Sequence, residues 1–451
     1  ALPTCTYTAP ANKRFSSWSD GTTTYLVGAI FTMPASDVAF TAMWEVDTYS
    51  VSFDVTGATS SNAPLPQQKN EGDTITIPYG IYKDDNAFCG WNDGAKTYAV
   101  GDVYTMPAKS VIFTAVCKQA TVGLVYTSIS ADTAYSVKGD SATIGSALDV
   151  VIPSSHLGKP VTMVATSGFN GSNSAIYKTL TSIHIGYGVT TIGQEAFYRC
   201  DGVTSIDIPK TVNDIGREAF SYCARLLAIT IPEGVTQLRF NVLSDCYSLS
   251  AVSIPSSVTM INRTALDWCG QLTTITVASG NTFYKVVSGC LISLQDVVME
   301  DDIYETVTKG TLIRGTLNSV IPTDGALVNR IGYTAFRYSG IQSIVIPSNI
   351  TILESYCFNY AESLTSVILH EGLTTIGSQA FSKCTALTSI IIPASVIDMR
   401  SNVFANSLKL THIYCRIAQE PTSGWDGSWN YKISGDPNQG YIPVTWGYTG
   451  A

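Results

Sequence analysis

Four cysteines recur at a constant interval and are the first residues in the chain that could carry chemistry. Each step is 23 residues (223 − 200, 246 − 223, 269 − 246), giving Cys200, Cys223, Cys246 and Cys269. Four thiolates can bind zinc, but tetrahedral ligands must converge on one point. If each interval is one turn of a stacked array, the turns lie about 4.8 Å apart and the sulfurs form a line. We therefore predict no metal site. Adjacent cysteines remain within the distance range of disulfides, although stacked side chains point the same way.

Later turns place small residues in the same column, namely Ser339, Ala361 and Ser407. This substitution pattern predicts buried, unreactive thiols in a position that requires a small side chain.

Catalytic residues are sparse. The chain has only four histidines, His156, His184, His370 and His412, and the second and last of them fall at opposite ends of the repeat. No Gly-x-Ser-x-Gly elbow pairs a nucleophile with a base, and no glycine-rich loop could hold a phosphate. The sequence predicts no enzyme, no catalytic residue and no cofactor.

An acidic loop, Glu300-Asp301-Asp302 with Glu305, offers oxygen ligands for Ca²⁺. It lacks the Asp-x-Asp-x-Asp-Gly spacing of known calcium loops. We interpret it as a solvated turn.

The cysteines belong to a longer repeat that must position every other feature. Its clearest copy contains Ile206, Ile208, Pro209, Val212, Ile215, Gly216, Ala219, Phe220 and Cys223. A period in the twenties predicts a solenoid, so the fold class is mainly β, with about ten rungs from residue 150 to 415. The two apolar residues of Ile-x-Ile point inward and the residue between them outward. A Phe column fills one continuous core: Phe169, Phe197, Phe220, Phe336, Phe358, Phe381 and Phe404, with Leu243 and Leu266 substituting.

The string Leu-x-x-Ile-x-Ile-Pro-x-x-Val-x-x-Ile-Gly-x-x-Ala-Phe-x-x-Cys resembles the BspA-like leucine-rich repeats. Residues 278–319 break the period, and two apolar runs there look like strands of an enlarged rung. The resemblance implies a bacterial surface protein that adheres to host matrix proteins or to other cells. The implied partners are host extracellular or cell-surface proteins, with glycans as the alternative.

The outward residue of each rung changes from polar to apolar along the array. It reads His184, Asp207, Thr230, Ser253 and Thr276, and later Val345, Ile368, Ile391 and Tyr414. Contiguous apolar side chains on a solvent-facing sheet often mark an interaction site. We therefore predict ligand binding at Val345, Ile368, Ile391 and Tyr414. The alternatives are that these residues are simply good strand formers, or that the C-terminal segment covers them.

Residues 416–451 lose the repeat and are rich in aromatic residues. Trp425 and Trp429 could stack on sugar rings, because indole has a flat apolar face and a polar edge. They could equally close the open end of the core. We interpret 416–451 as a C-terminal cap and keep sugar binding as the alternative function.

The N-terminal part holds a second repeat. Phe15-Ser16-Ser17-Trp18 aligns with Phe88-Cys89-Gly90-Trp91, and each is followed by Met-Pro-Ala and Phe-Thr-Ala. These strings resemble internalin B-repeats, which implies two β-grasp-like spacer modules, a truncated one at 1–45 and a complete one at 46–118. Trp18 and Trp91 fit core positions. The truncation predicts that the chain is part of a longer protein. Residues 119–149 are predicted to form an N-terminal cap hairpin.

Composition narrows the function further. A net charge of −9 without a Lys/Arg cluster argues against nucleic acid and anionic membranes. No apolar run reaches the length of a membrane span. The start, Ala1-Leu2-Pro3, has no signal-peptide pattern, so we expect any signal peptide to have been removed. The resemblance to BspA-like repeats implies an extracellular location at the cell surface.

Overall fold

The computed structural model describes residues 1–56, 64–79, 83–145, 148–298, 306–433 and 440–450. The chain divides into two compact units. One contains residues 1–84 and 88–118, and the other contains residues 85–87 and 119–451. The acidic loop predicted from Glu300-Asp301-Asp302 and Glu305 lies outside the described residues.

The first unit is built from short strands. Strand β1 pairs antiparallel with β2 and β3, whereas β4 pairs with β5 and, in parallel, with β10. The indole Nε1 of Trp18 donates to the carbonyl of Pro3 at 2.8 Å, and that of Trp91 donates to the carbonyl of Pro78 at 2.9 Å. Both indoles are buried. The internalin-type assignment of these modules stays a prediction. The strands up to residue 119 are β1 (Lys13–Ser19), β2 (Thr24–Tyr25), β3 (Thr41–Val46), β4 (Thr48–Asp54), β5 (Gln67–Asn70), β6 (Thr74–Thr76), β7 (Asn86–Asn92), β8 (Thr97–Tyr98), β9 (Val103–Thr105) and β10 (Val111–Gln119).

The second unit is a β-solenoid of about twelve turns with a period of about 23 residues, which confirms the predicted fold class and slightly exceeds the predicted number of rungs. The first half contains a short 3₁₀ helix, Ala175–Thr179. Its strands are β11 (Leu124–Ile129), β12 (Ala134–Gly139), β13 (Asp149–Ile152), β14 (Ser155–His156), β15 (Lys159–Val164), β16 (Ser182–Ile185), β17 (Thr191–Ile192), β18 (Ser205–Asp207), β19 (Asp214–Ile215), β20 (Ala228–Thr230), β21 (Gln237–Leu238), β22 (Ala251–Ile254), β23 (Met260–Ile261) and β24 (Thr274–Val277).

The second half repeats the arrangement after an irregular stretch. Its strands are β25 (Tyr284–Val287), β26 (Cys290–Ser293), β27 (Val297–Val298), β28 (Thr306–Val307), β29 (Thr311–Gly315), β30 (Arg330–Ile331), β31 (Ser343–Ile346), β32 (Ile352–Leu353), β33 (Ser366–Leu369), β34 (Thr375–Ile376), β35 (Ser389–Ile392), β36 (Asp398–Met399), β37 (His412–Cys415) and β38 (Val444–Thr445). Each regular turn contributes one longer and one two-residue strand, and each strand pairs in parallel with its counterpart in a neighbouring turn.

The repeat motif explains this geometry residue by residue. The longer strands β22, β31 and β35 end directly before Pro255, Pro347 and Pro393, because proline has no N–H to donate to the ladder. The rings of the Phe column are fully buried and stack between neighbouring turns, with centroids 5.0 Å apart for Phe336 and Phe358. Leu243 and Leu266 are buried in the same column where Phe is absent.

The irregular stretch divides the core in two, contrary to the single continuous core predicted from the repeat. Strands β26 and β29 pair antiparallel and are buried along their whole lengths. Leu291 and Ile313 pack into the core of the first half, whereas Ile292 and Leu312 pack into the core of the second. A strand buried on both faces has no side turned to water, which is why Leu291-Ile292 and Leu312-Ile313 at the centres of the two strands are apolar on both faces.

Each turn contains a tight corner before its cysteine position. The residue before that position has positive φ in every one of these turns, between 56° and 63°. The residues are Arg199, Tyr222, Asp245, Trp268, Tyr338, Tyr360, Lys383 and Asn406. We call this set the corner column.

All eleven cysteines are unbridged thiols, and the column predicted to hold small buried thiols is buried.

Candidate functional site

The predicted binding residues lie on neighbouring strands of one face of the solenoid. Val345 on β31 is in register with Ile368 on β33, and Ile391 on β35 is in register with Tyr414 on β37. Val345 and Ile368 are exposed by 48% and 49%, whereas the other two are half-buried. The four residues therefore form two in-register pairs. Val345 and Ile368 are open to solvent, whereas Ile391 and Tyr414 are partly covered.

The C-terminal segment covers one end of this row. Strand β38 extends the sheet beyond β37 and places Thr445 beside Tyr414. The ring of Tyr448 lies 4.6 Å from the ring of Tyr414, between centroids. The C-terminal segment therefore partly covers Tyr414, which agrees with the alternative that this segment folds over the row. Binding by the four residues stays a prediction.

A groove of about 550 Å³ opens between the exposed and the covered ends of the row. Its apolar walls include Ile368 and Ile391, and its polar rim includes His370, Glu371 and Arg416. The Glu371 carboxylate accepts from the backbone N–H groups of Ala394 and Ser395, each at 3.0 Å, so this part of the rim is fixed. We call this feature the strand-face groove. Its apolar floor and charged edge match the usual composition of protein-binding patches.

The opposite end of the same column is polar. His184 is nearly buried, and its Nδ1 lies 2.7 Å from a carboxylate oxygen of Asp207 on the next turn. His184 is in register with Asp207, as the outward column requires, although its side chain is nearly buried. The apolar character of the face is confined to the second half.

The two tryptophans predicted as a secondary site lie at the end of the core. Trp429 is 3% exposed, and its ring meets the last ring of the Phe column, Phe404, edge-on at 6.2 Å. Trp425 packs beside it at 4.9 Å and is partly buried. These contacts favour a plug, because a sugar needs an open ring face.

The corner column contains an aromatic ladder that was not predicted. The rings of Trp268 and Tyr338 stack at 3.4 Å, and those of Tyr338 and Tyr360 stack at 4.3 Å. The ammonium group of Lys383 lies over the ring of Tyr360 at 4.0 Å and bonds to its hydroxyl, which lowers the pKa of Tyr360. The guanidinium of Arg337 lies over Trp268 at 5.1 Å. The detectable sequence signal was the aromatic residue immediately before the cysteine position in successive turns.

Buried charges hold this ladder where the two halves meet. Arg337 forms an ion pair with the buried carboxylate of Asp267 at 3.0 Å, although burial raises the pKa of Asp267. Arg314 is buried and donates to the carbonyls of Cys269, Thr334 and Arg337 at 3.0, 3.1 and 3.3 Å. These three carbonyls belong to both halves, so Arg314 connects them across the interruption.

The described residues contain neither a metal-binding cluster nor a membrane-spanning helix. Within them, no cluster of three or more His, Cys, Asp or Glu could hold a metal ion. No helix of the described chain is long and apolar enough to cross a bilayer.

Sequence comparison assigns the repeat. Residues 171–290 and 316–419 match the family described as BspA type leucine rich repeat region, in 6 copies. This part of the chain is a BspA-type leucine-rich-repeat region. The matched segments stop on either side of β29, so the interruption of the BspA-type repeat coincides with the wall between the two cores. No curated protein matches the chain significantly.

Several solved structures resemble the BspA-type solenoid. A leucine rich cell surface protein from Faecalibacterium prausnitzii is 23% identical, with a TM-score of 0.44, over 65% of this chain and 86% of that chain. The pneumococcal vaccine antigen PcpA is 18% identical, with a TM-score of 0.43, over 66% and 80%. A leucine-rich repeat protein from Eubacterium ventriosum is 17% identical, with a TM-score of 0.40, over 65% and 82%. At these TM-scores the likeness carries no argument about function.

Proposed function

We propose that this protein is a non-enzymatic interaction protein of a bacterial cell surface that binds host extracellular or cell-surface proteins. The observation that carries the proposal is the strand-face groove, where the exposed pair Val345 and Ile368 adjoins a cavity with a charged rim. Exposed apolar surface is costly in water, and a protein partner would remove it. The BspA-type repeat supports the proposal, because solenoids provide extended binding surfaces.

A pair of matched variants tests the groove. Val345→Ser/Ile368→Ser removes two exposed apolar side chains, Ile368 from the wall of the groove and Val345 from the neighbouring strand, so the core is left intact. The control is Thr230→Ser/Thr276→Ser, which alters the same outward column at its polar end. Binding of the full chain to a panel of extracellular matrix proteins is measured by surface plasmon resonance, after circular dichroism confirms folding.

We expect the apolar variant to bind its matrix partner at least about tenfold more weakly, because two buried aliphatic side chains contribute more than 1.4 kcal/mol. The control should bind like the unmodified protein. Equal loss in both variants, or no loss in either, would contradict binding at the groove.

A further inference from the structure

The first unit contains two modules whose sequences align without a gap. The first module holds β1 to β3, and the second module holds β4 to β10. From Phe15 onward each position recurs 73 residues later, so Trp18 corresponds to Trp91 and Phe40 corresponds to Phe113 (91 − 18 = 113 − 40 = 73). Every position of the first module can therefore be compared with a counterpart in the second.

The part that the two modules share has the same backbone geometry. Leu2 donates to the carbonyl of Ala29 and accepts from the N–H of Gly28, both at 2.9 Å. Ile77 makes the same two bonds with the counterparts of these residues, both at 2.8 Å. A difference in pairing or exposure between the modules therefore reflects the strands that surround each of them.

Strand β3 corresponds to β10 but has one neighbour fewer. In the second module β10 lies between β7 and β4, and it pairs in parallel with β4, with Val111 opposite Val51 and Phe113 opposite Phe53. Among the strands that the structure describes, β3 pairs with β1 alone. An open strand edge presents a row of N–H and C=O groups on which another strand can pair.

A second strand pairing is also confined to the second module. There β9 pairs antiparallel with β6, and Tyr104 lies opposite Ile75. Residues 30–32 correspond to β9 but form no strand. Within the described part of the chain, the first module thus has no strand that corresponds to β4 or to β6, which both belong to residues 47–76.

Apolar side chains beside the open edge are exposed in the first module and buried in the second. Met33 is 66% exposed, whereas its counterpart Met106 is 2% exposed. Phe40 is half-buried, whereas Phe113 is fully buried and stacks on Phe53 of β4 at 5.5 Å between ring centroids. The surface that β4 to β6 cover in the second module is therefore open to solvent in the first.

We propose that the first module binds an extended segment of a partner protein, which adds a strand parallel to β3 and covers Met33 and Phe40. The second module defines the chemistry of that segment. It needs apolar residues two positions apart, as Val51 and Phe53 are, because alternate side chains of a strand point to the same face. Main-chain hydrogen bonds to the open edge would supply affinity, and the apolar side chains would supply selectivity. This surface is separate from the strand-face groove.

A synthetic peptide of residues 47–76 is the probe, because it carries the strands that cover the second module. It is titrated into the full chain, with affinity measured by isothermal calorimetry and the site located by heteronuclear NMR. We expect binding with shifts in residues 30–33 and in β3. The Val51→Ser/Phe53→Ser peptide should bind at least about tenfold more weakly, because its apolar face is lost. The Ser50→Thr/Ser52→Thr peptide, altered on the opposite face, should bind like the unmodified peptide.

Met33→Ser and Ile30→Ser form a matched pair in the full chain. Both side chains are exposed, so neither change is expected to unfold the module. Ile30 is 88% exposed and its counterpart Val103 is 67% exposed, so this position stays open even in the second module, unlike that of Met33. We expect Met33→Ser to weaken peptide binding about tenfold and Ile30→Ser to leave it unchanged, after circular dichroism confirms folding.

Several results would overturn the proposal. They are no binding of the unmodified peptide, equal affinities of the two altered peptides, and equal affinities of the two chain variants. Shifts confined to β7 and β10 would show that the peptide only exchanges with the β4 of the chain itself. Self-association of the full chain that the peptide reverses, measured by analytical ultracentrifugation, would assign the open edge to a second copy and not to a partner protein.

Discussion

The backbone N–H of Cys384 donates to the hydroxyl oxygen of Ser407 at 3.0 Å, and the two residues occupy the same position in adjacent turns. Each uses its side chain in the same way. The Cys384 thiol donates to the carbonyl of Phe358 at 3.2 Å, and the Ser407 hydroxyl donates to the carbonyl of Phe381 at 2.7 Å. The column thus favours a small hydrogen-bond donor, which refines the small-residue requirement inferred from the sequence. Ala361 is an exception, without a side-chain donor.

The buried thiols predict a loss of stability at alkaline pH. Burial raises the pKa of Cys223 and of Cys269 to about 12, from an ordinary value of 9.0. The unfolded chain releases these protons above pH 9 while the folded chain retains them, so the free energy of unfolding falls as pH rises from 9 toward 12. Each such thiol contributes a slope of about 1.4 kcal/mol per pH unit in that window.

Cys223→Ser isolates one thiol, since serine is accepted in this column and does not titrate. Urea unfolding is followed at pH 8.0 and at several values above 9, with a reducing agent present. We expect the variant to lose stability less steeply than the unmodified chain above pH 9, and equally below it. Parallel curves throughout would contradict a buried, protonated Cys223.

Arg314 should be essential to the connection between the two halves. Replacing it by Met removes three hydrogen bonds from a charged donor to backbone carbonyls of both halves, so we expect a loss of about 3–5 kcal/mol in the free energy of unfolding. Arg314→Lys should recover only part, because an ammonium cannot reproduce the fork of the guanidinium. Arg225→Met, at an exposed position, is the control for urea unfolding. An unchanged midpoint in Arg314→Met would refute this role.

Trp429 is predicted to act as the plug of the second core. Trp429→Ala should cost about 3–5 kcal/mol in the free energy of unfolding and accelerate hydrogen exchange first in the turn of Phe404, whose ring it contacts. Trp429→Phe should retain most of the stability, and Tyr441→Ala, at an exposed site of the same segment, should have little effect. If Trp429→Ala kept its stability but lost affinity for a glycan, sugar binding would be the better explanation.

The regular turns were predictable because their sequence signal is local and repeated. Ile-x-Ile-Pro fixes the longer strand, and the recurring Phe fixes the filling of the core, so both could be inferred without coordinates. The wall of β26 and β29 could not be fully inferred. Its apolar runs indicated strands, but only tertiary structure reveals that Leu291 and Ile292 face different cores.

The candidate sites divide in the same way. The exposure of Val345 and Ile368 could be predicted from the sequence, because side chains along a strand alternate between its two faces. The covering of Tyr414 by Tyr448 depends on how a segment without a repeat folds back.

The wall between the two cores also affects how such a protein can change over generations. A turn added or lost in a continuous solenoid alters the packing of both its neighbours, and the adjustment passes along the stack. Here β26 and β29 present a fixed apolar face to each half. Turns on either side can therefore be duplicated, deleted or exchanged by recombination without refitting the other side. The strand-face groove, which belongs wholly to the second half, can diversify under selection while the first half stays constant.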